Sequence, residues 1–454
     1  MFALPGLVLL VLVDYVRPQE YFLALGAIPL LYVATGLAAL GILLDLRLGI
    51  SRLRAVPHLR LAILFVAWSV VSLAVRAPGE LLERAPSFLI PFLVYLLVAQ
   101  AVQSFKALQT MALLLLAIGL GLAALGVHQA SAPYGCHRSV VVRGSPKLVF
   151  DGRPCEPEVR FACETESAEP GADYRCERAG LLGTSSIRGR VRYRGTLEDP
   201  NELALVLGLV LPFAFAFFDR RGTLARLLLV VLAIGLIGVC TYFTQSRGGQ
   251  LVFLTVLAVY FVRRYGIRRG LAVGLALALP ILLFGGRSGG ESSTEERTEA
   301  WWTGLHLLQA SPGFGVGAGR FTEHHELTAH NSLIQAGAEL GLPGLLLFAS
   351  ILYLAIKIPV QALGTEVAPV ARTWAVALLA SMSGLLVGSF FLSFVYKSAL
   401  WILVGMTGAL HHAIRLHDPS FQVKFGGRDL AAVSLGVALL LVMLVGYTGL
   451  QMGW

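Results

Sequence analysis

Residues 107–127 read ALQTMALLLLAIGLGLAALGV, an unbroken stretch without a single charged side chain. About 20 consecutive apolar residues of α-helix cross the hydrocarbon core of a bilayer, so this stretch alone predicts a membrane span. Working outward, comparable runs recur at roughly 2–16, 22–44, 61–75, 87–103, 202–218, 224–244, 249–262, 269–285, 332–356, 371–392, 396–414 and 429–449, about thirteen spans in all. Pro29, Pro91, Pro212 and Pro343 fall in or near these runs; membrane helices tolerate proline because neighbouring groups re-satisfy the freed carbonyls. Over the 454 residues, 56% are apolar and only 14% charged, against about 25% charged in an average soluble domain. The charges are bunched between the apolar runs, which excludes a chain of soluble domains. The opening stretch Phe2–Val13 has no basic flank before it and no small-residue cleavage site after it, so it reads as a first span rather than a cleaved leader.

The chain holds 36 Lys and Arg against 27 Asp and Glu. On a soluble protein that surplus would point to nucleic acid; on a membrane protein its placement between spans comes first, because short cytoplasmic loops collect Lys and Arg. With the N-terminus inside, seventeen of the basic residues fall in cytoplasmic loops, among them Arg52, Arg54, Arg263, Arg264, Arg268 and Arg269. The short outer loops hold five: Arg17, Arg76, Arg84, Arg247 and Lys397. The rest lie in two long loops, about 128–201 and 286–331, which cross largely regardless of charge. Topology thus accounts for the surplus, and membrane lipids rather than nucleic acid are the expected surroundings. The expected fold class is all-α, a polytopic integral membrane protein with about 12–13 transmembrane helices and two long outer loops. Its segments are 1–127 (N-terminal helices), 128–196 (an insert with four cysteines), 197–285 (central helices carrying Arg247), 286–331 (a candidate catalytic loop) and 332–454 (C-terminal helices). Oligomeric state is not legible.

Cys136, Cys155, Cys163 and Cys176 share the first long loop, while Cys240 lies in a span. Four clustered cysteines in an oxidising compartment suggest two disulfides, with three possible pairings. Zinc is disfavoured because no closely spaced Cys pair is present.

Candidate chemistry gathers on the outer side. Arg247, in Thr244-Gln245-Ser246-Arg247-Gly248-Gly249-Gln250, stands between two spans beside glycines that permit close approach of backbone or ligand. It reads either as an arginine snorkelling to lipid phosphates or as a planar fork for a pyrophosphate; the second is preferred. The run Pro312–Phe321 is rich in glycine but has no preceding strand and no Gly-Lys-Ser/Thr ending, so no nucleotide fingerprint applies. In His325-Glu326-Leu327-Thr328-Ala329-His330 the histidines are one residue too far apart for a His-Glu-x-x-His metal helix. No metal is expected. His324 and His325 read as solvated, and His330 as an uncoordinated imidazole able to take a proton from a sugar hydroxyl.

With these residues in view, a family resemblance appears. His330-Asn331, nine residues, then Gly341-Leu342-Pro343-Gly344 is similar to the His-Asn-x9-Gly-x-x-Gly signature of the bacterial O-antigen ligase and O-antigen polymerase superfamily. Arg247-Gly248-Gly249-Gln250-Leu251 resembles its Arg-x3-Leu element, and Arg297 with Trp301 and Gly315-Val316-Gly317 resembles the segment before its histidine. Arg194–Leu197 with Pro200–Ala204 resembles its stretch entering a span from outside. The resemblance implies a periplasmic-face glycosyltransferase of the bacterial inner membrane, moving a glycan from an undecaprenyl diphosphate donor to an acceptor such as lipid A-core. It implies no cofactor and no metal. His330 would be the general base of an inverting reaction, and Arg247 and Arg297 would hold the diphosphate. Arg192, Arg194, Asn201, Asn331 and Glu339 are further candidates for substrate contact, Glu339 alternatively being an intramembrane partner or a snorkelling acid. The insert at about 128–188 lies outside the signature.

A polymerase joining lipid-linked repeats would use the same base and arginines. A lipid-linked glycan transporter would be expected to carry mid-span charges and repeated halves; mid-span charges are nearly absent here, and no repeat is evident.

Overall fold

The structure, a computed structural model, describes residues 2–142, 145–157, 163–164, 168–169, 172–220, 222–284 and 290–452. Its helices are α1 (Ala3–Val16), α2 (Leu23–Gly26), α3 (Leu30–Arg47), α4 (Leu59–Arg76), α5 (Leu81–Ala101), α6 (Phe105–Ser131), α7 (Pro200–Arg220), α8 (Leu224–Phe243), α9 (Arg247–Tyr265), α10 (Ile267–Phe284), α11 (Gly290–Ala310), α12 (Ser332–Leu363), α13 (Pro369–Gly388), α14 (Ser398–Arg415) and α15 (Gly427–Met452). Each apolar run of the sequence contains helix, although the run 22–44 is broken at residues 27–29 between α2 and α3. Among the described residues nine helices are long and apolar enough to cross a membrane, namely α3 to α8, α12, α13 and α15. The chain is an all-α multi-pass membrane protein. Of the other expected spans, α1 has 14 residues, about 21 Å at 1.5 Å per residue. Helix α9 ends on Arg263 and Arg264, and α14 is so enclosed by its neighbours that it buries both His411 and His412.

Lipid tails are as apolar as leucine, so helices in a membrane associate through close packing of small residues rather than through water exclusion. Such contacts recur here. A Cβ on Gly405 of α14 would lie 2.9 Å from Val98 of α5, and one on Gly384 of α13 would lie 2.6 Å from Val256 of α9. The antiparallel course of the chain gathers polar contacts at two opposite ends. One end pairs Arg264 with Asp219 (2.9 Å) and Lys357 with Asp429 (2.6 Å). The other holds the termini that lead into α7, α9, α12 and α14, and with them Asn201, Arg247, His330 and Asn331.

The structure departs from the sequence reading in two places. The insert carries a sheet: β1 (Tyr134–Val142), β2 (Ser145–Pro154) and β3 (Tyr174–Arg178) run antiparallel in the order β2-β1-β3. Disulfides Cys136–Cys163 and Cys155–Cys176 select one of the three pairings. They also use up the thiols of Cys136, Cys155 and Cys163, which would otherwise lie close enough together for a metal. Segment 286–331, expected as a loop, contains the 21-residue helix α11. Thr298, Leu305 and Leu308 of α11 are buried, and the helix packs on α12 and α15. The apolar residues of α11, among them Ala300, Trp301, Leu305 and Leu308, are confined to its second half behind a charged first half, too short a run for a scan of membrane-length apolar stretches to find.

Candidate active site

Three chain turns meet at one end of the bundle, and the loop between α13 and α14, residues 389–397, lies among them. The first turn carries Arg247. The Ser246 hydroxyl caps α9 by accepting from the Gly249 N–H (3.0 Å), which fixes Arg247 as the first helical residue. Gly248 and Gly249 serve helix approach. A Cβ at Gly249 would strike Ala204 of α7, and one at Gly248 would come within 3.1 Å of the Phe391 Cβ. The second turn, 190–201, is laced to the first. Arg190 donates through Nε to the Thr244 carbonyl (2.8 Å) and through a terminal nitrogen to Asn201 Oδ1 (3.1 Å), while the Val191 N–H donates to the Phe243 carbonyl (3.1 Å). Lys397, at the end of the 389–397 loop, pairs with Glu202 of α7 at 2.9 Å.

The third turn carries His330 and Asn331. Asn331 is fully buried, and its Oδ1 accepts from the Leu333 (2.9 Å) and Ile334 (3.1 Å) N–H groups, capping α12. Ser332 then knots the helix start to the 389–397 loop. Its N–H donates to the Ser389 carbonyl (2.7 Å), and its hydroxyl donates to the Leu392 carbonyl (2.7 Å) and accepts from the Phe394 N–H (2.9 Å). His330 adopts a φ of 46°, a left-handed conformation uncommon outside glycine. Its Nδ1 is buried and has no hydrogen-bond partner in the structure. Burial, reinforced by the Arg297 cation, lowers the His330 pKa below its ordinary 6.5, while Asp199 and Glu296 pull it back up. The Arg297 cation is thus one of the groups that act electrostatically on His330. The lowering favours the uncharged imidazole, the form a general base requires.

The other candidates are engaged within the protein. Arg192 donates to the Ser185 carbonyl (3.0 Å) and pairs with Glu198 (3.2 Å). Arg194 donates to the carbonyls of Glu20 (3.0 Å) and Leu182 (2.7 Å) and lies over the Tyr21 ring. Glu339 is buried, which removes the snorkelling alternative; its carboxylate accepts from the Gly319 (2.9 Å) and Phe321 (3.2 Å) N–H groups. Gly315, Val316 and Gly317 donate to the carbonyls of Ser311, Ala338 and Glu339, and Arg76 closes the turn on the Gly315 carbonyl at 2.8 Å. These N–H groups of the glycine run are spent inside the fold, so they do not form a phosphate cradle. Arg190 and Asp199 escaped the sequence reading. Arg190 has the one visible signal, the alternation Arg188, Arg190, Arg192, Arg194; Asp199 is recruited only by folding.

Residues 228–349 match the family model described as O-antigen ligase. The match makes this part of the chain similar to the O-antigen ligase superfamily and supports, in general terms only, a ligase- or polymerase-like function. It spans Arg247, Arg297, His330, Asn331 and Glu339, while Arg192, Arg194 and Asn201 precede it. No curated protein matches the chain.

Proposed function

We propose that this O-antigen ligase-like protein works at the periplasmic face of the bacterial inner membrane and transfers a glycan from undecaprenyl diphosphate to an acceptor hydroxyl, without metal or cofactor and with inversion. The observation that carries the proposal is His330 itself, a partly buried imidazole whose uncharged form is favoured by burial and by the Arg297 cation, with one ring nitrogen uncommitted. In the reaction His330 takes the proton of the acceptor hydroxyl as its oxygen bonds to the anomeric carbon. The bond from that carbon to the diphosphate breaks, and undecaprenyl diphosphate leaves carrying the electron pair. Arg247 and Arg297 match its charge, which makes an already good leaving group better without a metal. Asn331 and Ser332 hold the base in position through the helix cap and the loop knot.

The test is transfer by purified, membrane-reconstituted protein supplied with an undecaprenyl diphosphate-linked glycan. His330→Ala is expected to abolish transfer, and intact transfer would overturn the mechanism. Arg247→Ala and Arg297→Ala are each expected to cost about 100-fold, the scale of removing one preorganised charge donor. Running the assay with and without lipid A-core separates a ligase, which needs the second acceptor, from a polymerase, which extends the donor alone.

A further inference from the structure

Buried side-chain nitrogens and oxygens almost always have hydrogen-bond partners. Among the described residues, several neutral groups at this end of the bundle break that rule, Tyr396 Oη and Trp301 Nε1 among them, and four are of the carboxamide or aliphatic hydroxyl type: Gln250 Nε2, Asn331 Nδ2, Gln335 Oε1 and Ser393 Oγ. Gln250 is 5% exposed and Asn331 0%. All four stand on the elements that meet at this end of the bundle. Gln250 lies one helical turn beyond Arg247, on the same side of α9. Asn331 adjoins His330, and Gln335 follows one turn later, its N–H donating to the Asn331 carbonyl (2.9 Å). Ser393 belongs to the 389–397 loop, which Ser332 binds to α12 and Phe391 sets against Gly248.

We infer that these four groups recognise the hydroxyls of the sugar joined directly to the diphosphate. The inference rests on the glycan-transfer reading and extends it from charge to specificity. A diphosphate presents charged oxygens that only accept hydrogen bonds, which suits arginine. A sugar hydroxyl both donates and accepts and carries no charge. The four groups form a set of that kind: two carboxamide nitrogens that donate, one carboxamide oxygen that accepts, and a hydroxyl that does both. Their placement also follows the reaction. The transferred sugar has the diphosphate on one side of its anomeric carbon and the incoming hydroxyl on the other, so it lies between Arg247 and His330, and Gln250 and Asn331 are the neutral residues that accompany those two.

The test is equilibrium binding to nanodisc-embedded protein of three lipids: undecaprenyl diphosphate, undecaprenyl diphosphate N-acetylglucosamine and undecaprenyl diphosphate galactose. Wild type is expected to bind at least one sugar-bearing lipid about tenfold or more tighter than the sugar-free one, as sites that hydrogen-bond a substrate hydroxyl discriminate strongly. Gln250→Leu and Gln335→Leu are expected to erase that difference while leaving the sugar-free lipid unaffected, which also serves as the folding control. Arg247→Ala is expected to weaken all three. Equal affinity of wild type for all three lipids overturns the inference alone, as does parallel loss on every lipid in both glutamine variants. Failure of wild type to bind even the sugar-free lipid overturns the glycan-transfer reading and this inference with it.

Discussion

His330 combines a left-handed backbone, partial burial and the nearby Arg297 cation. Each shapes its chemistry in a way open to measurement. The protonated form is disfavoured in the fold, so the acid limb of the pH profile of kcat/KM is expected below the 6.5 of an ordinary histidine. Removing the Arg297 charge removes one cause of the lowering, so Arg297→Gln is expected to move that limb to higher pH, beyond its effect on rate. A limb that stays in place would mean that Arg297 does not set the protonation of His330. His330, Arg247 and Arg297 stand out in the sequence as candidates because a motif carries them. The backbone strain at His330 was not legible, since it arises where Asn331 must stop the turn and cap α12 in the same step.

At the scale of elements, the start of α12 organises the site through its interior. Glu339 accepts from two backbone N–H groups of the glycine run, and Gly341 interrupts the helix at φ 69° and ψ −172°, a region populated essentially by glycine. A Cβ at Gly341 would also collide with the Gly313 carbonyl. Gly341→Ala is expected to destabilise the protein by about 3 kcal/mol or more from backbone conformation and collision together, read as a large fall in thermal unfolding temperature. Glu339→Leu leaves two N–H groups buried without acceptors, at about 1–3 kcal/mol each. Its expected outcome is a lower melting temperature with faster amide exchange in residues 315–321; an unchanged melting temperature would return Glu339 to the substrate side. The sequence marked both residues through the spacing of one motif. It could not show that the glycines after Pro312 and the acid of α12 answer one another, because that contact spans some twenty residues and closes only when α12 packs on α4. For the same reason α11 read as loop: its short apolar half is covered only once it packs on α12 and α15.

Across the whole molecule, membrane helices and cross-linked insert are held by different forces and are expected to fail separately. The apolar runs made the bundle readable, because a bilayer imposes one length and one composition on every span. The insert obeys no such rule, and its sheet depends on strand pairing and two covalent links that composition leaves open. Its strands hydrogen-bond to one another, and Glu177 of β3 gathers the following chain by accepting from the N–H groups of Arg188 (2.5 Å) and Gly189 (3.2 Å). From there Arg190 ties the returning strand to the Arg247 turn without help from either disulfide. Non-reducing peptide mapping is therefore expected to recover Cys136–Cys163 and Cys155–Cys176; recovery of Cys136–Cys155, or of Cys136–Cys176 across the paired strands, would overturn this pairing. Each bridge contributes about 2–4 kcal/mol, chiefly by restricting the unfolded chain. Reduction is accordingly expected to raise amide exchange across residues 134–178, to leave exchange in α7, α9 and α12 unchanged, and to spare glycan transfer. Loss of transfer on reduction, with the bundle still protected, would instead make the insert part of the acceptor site.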